Sequence, residues 1–181
     1  MIQSIKKSVV MLLLVVAFTS CNQGPTLQTY FVDNELKPGF ISGDIPTSII
    51  NVEDIELTKD QKEAYESVDK LNILAFQVGD NNQEEYKVEL GKINSILKND
   101  AYEELMRGST DEGKFVVKFI GDSEASIDEL ILFGNAADKG FVVVRILGDE
   151  MNAGKLMKLS SVLENADVDN AQLESFKDFF K

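Results

Sequence analysis

The chain has no histidine, no tryptophan, one cysteine and three prolines in 181 residues. Without histidine there is no Ser-His-Asp triad, no imidazole general base and no imidazole metal ligand. With one cysteine there is no intrachain disulfide and no zinc knuckle, and a thiolate nucleophile exists only if that thiol stays free. Positive charge is scarce as well: 18 Lys and Arg stand against 31 Asp and Glu, a formal net charge of −13. So acidic a chain repels phosphate backbones and anionic head groups, which excludes nucleic acid as a partner. Oxygen and amine chemistry remain, or binding without chemistry; no cofactor motif and no complete metal-ligand set is present.

Long apolar runs are missing too. The longest, Val9 to Phe18, has ten residues, whereas a membrane-spanning helix needs roughly 20. Lys6 and Lys7 precede it, and the small residues Thr19 and Ser20 follow it directly before Cys21, which is the order of a cleaved secretory signal. Phe18-Thr19-Ser20-Cys21 resembles a lipobox, with Phe where Leu is usual, and Cys21 is the only cysteine of the chain. Cys21 is therefore expected to carry lipid and to hold the protein on the membrane, since two acyl chains already give stable anchoring. The expected division is a signal at 1–20, a lipidated tether at 21–28 containing Gly24-Pro25, and one domain at 29–181. The tether lacks the acidic run that surface-exported lipoproteins of the Bacteroidota carry after their cysteine. A periplasm-facing position, on the outer membrane rather than the inner, is the expectation.

Within the domain, Thr29 to Pro46 is broken by Lys37-Pro38-Gly39 and Gly43 and reads as an extended lead-in or an edge strand. A short turn is expected at Thr47 to Asn51. Thr58 and Gln61 have capping-box spacing and open a helix that should stop near Ser67. Leu71 to Val78 is a nearly unbroken apolar run of strand length, the pattern of a buried strand. Tyr86, Leu90, Ile93 and Leu97 recur at helical spacing, with Glu84, Glu85, Lys87, Glu89 and Lys92 on the other faces. Four strands joined by short turns follow at Tyr102–Met106, Lys114–Ile120, Ile127–Phe133 and Phe141–Leu147, predicting an antiparallel meander. Asn152 caps a helix striped by Leu156, Leu159 and Leu163, and Asp169 with Gln172 opens a last one whose apolar side is Leu173, Phe176 and Phe180. The fold class is α+β: one domain, a mostly antiparallel sheet of about five strands, helices packed on one face.

In the strand Phe141–Leu147, Phe141, Val143 and Arg145 share one face, and Val142, Val144 and Ile146 share the other. If no helix covers Phe141 and Val143, they form an apolar patch that marks a surface for an envelope protein or a second copy.

Several segments, among them Tyr30-Phe31-Val32-Asp33-Asn34, Lys37-Pro38-Gly39-Phe40-Ile41, Lys70-Leu71-Asn72-Ile73-Leu74-Ala75-Phe76 and Val144-Arg145-Ile146-Leu147-Gly148-Asp149, resemble the Bacteroidota lipoprotein family catalogued as domain of unknown function 4252. The resemblance spans roughly Tyr30 to Leu163. It implies a compartment and a lineage but supplies no catalytic residues; the proximity of such genes to those for extracytoplasmic-function sigma factors implies a role in envelope response.

Asp149, in Gly148-Asp149-Glu150, stands where a buried strand meets a helix, a place for a ligand in many α/β proteins and equally a place for a helix-capping acid. Arg145 lies mid-strand in apolar sequence, where an unpaired charge is costly. It either pairs with a neighbouring-strand carboxylate such as Glu129 or anchors an acidic ligand. Two partial calcium-loop patterns, Asp80/Asn82/Glu84 and Asn165/Asp167/Asp169, lack the glycine or the closing acid of that motif. The Ser-x-x-Lys spacings at Ser67/Lys70 and Ser95/Lys98 lack every companion of the penicillin-recognising enzymes. The expectation is a membrane-tethered, non-enzymatic binding module of the envelope, with a carboxylate-dependent hydrolase acting on envelope glycans as the alternative.

Overall fold

Helix α1 (Leu27–Asn34) leads into strand β1 (Phe40–Pro46), a 3-10 turn at Thr47–Ile49, helix α2 (Lys59–Glu66), strand β2 (Val68–Gln77) and helix α3 (Gln83–Ile96). Strands β3 (Glu103–Ser109), β4 (Lys114–Ser123), β5 (Ser126–Ala136) and β6 (Gly140–Met151) follow, then helix α4 (Ala153–Leu163). This computed structural model describes residues 24–49, 52, 55–111 and 113–163. The signal, Cys21 and the segment from Asp169 to Phe180 lie outside the described residues, as does the Asn165/Asp167/Asp169 pattern. No described helix is long and apolar enough to cross a membrane.

The six strands form one sheet in the order β1-β2-β6-β5-β4-β3, and every pairing is antiparallel. The meander from β3 to β6 is therefore present, and the chain is a single α+β domain. β2 and β6 owe their apolar sequence on both faces to their central place: each has a strand on either side and side chains packed above and below. The sixth strand is Phe40–Pro46, which pairs along β2 from Phe40 opposite Phe76 to Pro46 opposite Lys70. Its edge position accommodates Pro46, which has no N–H to give to a ladder.

Leu27–Asn34 departs from the extended reading of this region. Leu27, Tyr30, Phe31 and Asn34 are its buried residues, the i, i+3, i+4, i+7 stripe of a short amphipathic helix. Thr26 caps it reciprocally with Thr29, and the Leu27 N–H donates to the Tyr102 hydroxyl at 3.0 Å. Leu27 and Gln28, expected within the tether, are the first residues of this helix. Asn34 folds back on α1, donating to the Tyr30 carbonyl and accepting from Lys37.

Helices pack on both faces of the sheet. On the first face α1 and α3 cover Leu74, Phe76, Ile131, Phe133, Phe141 and Val143, the largest core. Five rings meet there: Phe141 lies 5.7 Å from Phe76, 6.2 Å from Phe133 and 6.3 Å from Phe40 and from Tyr86. On the second face α2 and α4 cover one end only, where Ala64, Leu156 and Leu159 pack on Phe119, Ile127 and Leu130. The Thr58–Gln61 capping box forms as the spacing requires, and α2 is tied to α4 by Gln61 donating to the Lys158 carbonyl and by the pairs Lys155–Glu63 and Lys158–Asp60. Those lysines hold the Glu63 and Asp60 carboxyls below their ordinary range.

Strand β6 does not stop at Leu147. It continues to Met151, which pairs with Ile127 across an irregularity in register. Glu150 takes a positive φ of 48° there, and Met151 turns inward and is fully buried. A bulge at this point re-aims the strand end into the core under α4.

One polar contact inside the first core gives a pH dependence. Glu89, assigned by periodicity to the outer surface of α3, is buried and accepts from the Tyr30 hydroxyl at 2.7 Å and from Lys92 at 2.7 Å. Burial, and after it the bond to Glu89, push the Tyr30 phenol far above its ordinary range. Below about pH 10 the phenol is neutral in both folded and unfolded chains, and above it only the unfolded chain ionises, so stability falls as pH rises. Tyr30→Phe is expected to flatten that fall by about 1.4 kcal/mol per pH unit, one proton's worth, read from urea unfolding at a series of pH values above 10. An unchanged slope refutes the assignment.

Candidate functional site

The surface anticipated at Phe141 and Val143 is on the wrong side of the sheet to be open. Phe141 is 1% exposed and Val143 is 0% exposed, both under α1 and α3. Arg145 is buried beside them, and its Nε and Nη2 donate to the two carboxylate oxygens of Glu129 at 2.6 and 2.8 Å. Glu129 stands diagonally across the β5–β6 pair, two residues from Ile131, the direct partner of Arg145. The guanidinium also lies 5.3 Å from the centre of the Phe31 ring of α1. This is a structural ion pair, charge-matched and geometrically bidentate.

Asp149 is exposed, and its backbone N–H donates to the Ser67 carbonyl at 3.1 Å. Eight residues of strand separate it from Phe141, on the order of 25 Å at 3.3 Å per residue. Phe141, Val143, Arg145 and Asp149 therefore do not converge on one site.

The opposite face is different. Register carries three rows of side chains across all six strands. The first, which α2 and α4 cover from Ile146 to Phe119, runs Ile45, Leu71, Ile146, Leu130, Phe119, Glu103. The second runs Gly43, Ile73, Val144, Leu132, Val117, Met106. The third runs Ile41, Ala75, Val142, Gly134, Phe115, Gly108. Among eighteen positions only the terminal Glu103 is charged.

Much of this face has no helix over it among the described residues. The cluster of Ile45, Ile73 and Ala75 is built with other strand residues alone. Leu132 is 38% exposed, Phe115 39%, Met106 42% and, on the adjoining helix, Met157 62%. Phe115 lies flat against Gly108, where a Cβ would meet its ring at 2.5 Å, so glycine lets the aromatic side chain lie down on the edge strand.

Where the second row runs up against α4 there is a groove of about 370 Å³ lined by Tyr65, Leu71, Val117, Leu130, Leu132, Ile146, Leu156 and Met157 among others, with no charged side chain. Its few polar groups are engaged: Thr47 donates to the Val68 carbonyl, Tyr65 to the Thr47 carbonyl and Ser160 to the Met157 carbonyl. A surface of this kind gains by removing apolar area from water and offers nothing to orient an ion.

Two other clefts contain acids. One at the start of α1, lined by Pro25, Tyr102 and Ala101, reaches Arg145 and its single carboxylate Glu129; another beside α1 and α3 holds Asp33 as its single acid. In neither do two acids face each other. No cluster of three metal-ligating side chains exists among the described residues. In the Asp80/Asn82/Glu84 segment, Asn82 accepts from the Gly79 N–H and donates to the Gln77 carbonyl, which makes it a turn residue ahead of α3.

A family model described as Domain of unknown function (DUF4252) matches residues 35–159. The chain belongs to that family. No curated protein and no solved structure matches it. The family span opens just after α1 and closes inside α4, so it contains the whole sheet and both of its faces, while α1 and the residues after α4 fall outside it. The apolar second face is thus part of the family's own domain.

Leu132, Val117, Met106 and Phe115 were not singled out by sequence. Their alternation was visible along each strand, but alternation assigns residues to faces without saying which face the helices take.

Proposed function

We propose that this DUF4252 member is a membrane-tethered, non-enzymatic binding module of the cell envelope, anchored through lipid on Cys21 and facing the periplasm from the outer membrane. Its working surface is the second face of the sheet, and its partner is an envelope protein. The observation that carries this reading is the charge-free groove and the exposed Leu132, Met106 and Met157 that line it. Exposed contiguous apolar area of this kind costs solubility and persists where it meets a partner. The carboxylates that line the clefts add support: Glu129 is neutralised by Arg145, and Asp33 stands without a second acid.

The test places a photoactivatable crosslinker at Met106 of the chain in its native membranes, with the same group at the exposed Val32 of α1 as control. A discrete product is expected from Met106 and not from Val32, at least tenfold weaker when Leu132→Glu is also present. Cys21→Ser should release the protein from the membrane and abolish the product. No product at Met106, or the same products at both positions, overturns the function; a product of twice the chain's mass makes the partner a second copy.

A further inference from the structure

The first face carries a charge pattern opposite to that of the chain as a whole. Beside the last turn of α3, strands β3, β4 and β5 form a wall of a cleft of about 600 Å³, within the size range of small-molecule sites. Its charged residues are Lys98, Arg107, Lys114 and Lys118, and its described lining holds no Asp or Glu, in a chain where 31 acids stand against 18 cations. Register explains the convergence. Lys114, Val116 and Lys118 alternate onto one face of β4, with Arg107 opposite Val116 on β3 and Phe133 opposite it on β5, while Lys98 follows the C-terminal end of α3. Leu97, Val116 and Phe133 belong to the first core or pack against it, so the cations surround an apolar floor.

Most of this charge is uncompensated. Among the described residues Lys98 and Lys114 form no ion pair. Lys118 donates to the Tyr102 carbonyl at 2.7 Å, which leaves the other N–H groups of its ammonium for a further acceptor. Arg107 is held by Glu104, with Nε donating at 2.5 Å, in a pair whose arginine side chain is 72% exposed; such a pair contributes little. The ordinary reasons for surface cations do not cover the set. A charge on an edge strand guards against strand addition, which accounts for Arg107 on β3, and a cation after a helix suits its dipole, which accounts for Lys98. Strand β4 lies inside the sheet, and neither reason puts Lys114 and Lys118 on one face of it.

Lys114 and Lys118 stand about 13 Å apart along the strand, with Arg107 on the neighbouring strand between them. That spacing suits two anionic groups on one molecule better than a single ion. We propose that the cleft binds a small organic anion carrying two or more phosphate or carboxylate groups, with Lys98, Lys114 and Lys118 meeting the charges and Leu97, Val116 and Phe133 carrying the body between them. The net charge of −13 that bars nucleic acid does not bar such a ligand: charges beyond about 8 Å are largely screened at physiological ionic strength, and the nearest charges are cations. A long polyanion would run out of the cleft onto acidic surface. The site lies on the first face, so its occupancy does not depend on the function proposed for the second.

The test is isothermal titration of the full chain, reconstituted in phosphatidylcholine vesicles, with citrate and with pyrophosphate. Saturable binding of at least one probe is expected, with a Kd of about 1 mM or tighter. Lys98→Glu with Lys114→Glu should weaken it about tenfold or more, since two attractions become repulsions. Lys59→Glu with Lys87→Glu makes the same change in net charge at exposed positions of α2 and α3 and should shift it less than about twofold, because it acts only through the screened field of the whole chain. Lys98→Gln with Lys114→Gln, expected to weaken binding about threefold or more, replaces the first pair if that pair lowers the unfolding midpoint. Cardiolipin added to the vesicles distinguishes two sources of the same chemistry: weaker apparent binding of the probe makes a two-phosphate lipid headgroup the occupant, and unchanged binding assigns the cleft to a soluble anion. No saturable heat with either probe, or equal losses from the cleft pair and the Lys59/Lys87 pair, overturns the proposal.

Discussion

Arg145→Met is expected to destabilise the fold by about 3–5 kcal/mol, because it leaves Glu129 as an uncompensated charge in the core. Both side chains are nearly inaccessible, and both oxygens of Glu129 are occupied by Arg145, so the carboxylate loses both of these donors at once. A loss of that size is a large share of the 5–15 kcal/mol that holds a typical domain together. Urea unfolding should show the midpoint falling while the slope stays constant. Glu129→Met should cost a similar amount by stranding the guanidinium, with only the Phe31 ring left to it.

The double replacement, Met at both positions, is expected to recover most of the loss. Two apolar side chains of similar volume carry no desolvation penalty, and such exchanges of a buried pair are often neutral or better. This cycle separates the structural role from an anchoring role. If Arg145→Met leaves the unfolding midpoint unchanged and instead abolishes crosslinking at Met106, Arg145 holds a partner and the ion pair is incidental.

The pair also shows what the sequence could carry. An arginine in the middle of an apolar strand demands a carboxylate within reach, and Glu129 is the acid that an antiparallel meander brings beside it, so the partner followed from chemistry and topology together. The strand β2, the capping box at Thr58 and Gln61, and the four-strand meander were legible for the same kind of reason: each is set by residues close in sequence. Glu89 was not legible. Its burial depends on Tyr30, 59 residues away, on a helix whose eight residues are too few for periodicity to stand out between Gly24-Pro25 and Lys37-Pro38-Gly39.

The site was least legible where it mattered most. β6 is apolar on both faces, so its alternation fixes two sets of residues and is symmetric with respect to which set lies under helices. That choice is made by α1 and α3, through Leu27, Tyr30, Phe31, Tyr86 and Ile93, and by the confinement of α2 and α4 to one end of the other face. Assigning the open patch to Phe141 and Val143 was the wrong branch of a choice that only long-range packing could make.

Phe141→Ala therefore has a definite outcome. Its ring meets those of Phe40, Phe76, Tyr86 and Phe133, and truncation leaves a cavity that strands and helices on two sides cannot close. Phe→Ala at such a site costs about 3–5 kcal/mol, which should lower the thermal midpoint by on the order of 10 °C for a domain of this size. Leu132→Ala, at a position 38% exposed, should cost less, about 1–2 kcal/mol, since a good part of its apolar area stays in water on folding. Binding reverses the order. In the crosslinking assay at Met106, Phe141→Ala should leave capture per folded molecule unchanged, whereas the Leu132 variants weaken it. Equal stability losses for the two, or loss of capture with Phe141→Ala in a chain that remains fully folded, would return the working surface to the first face and overturn its assignment to the second.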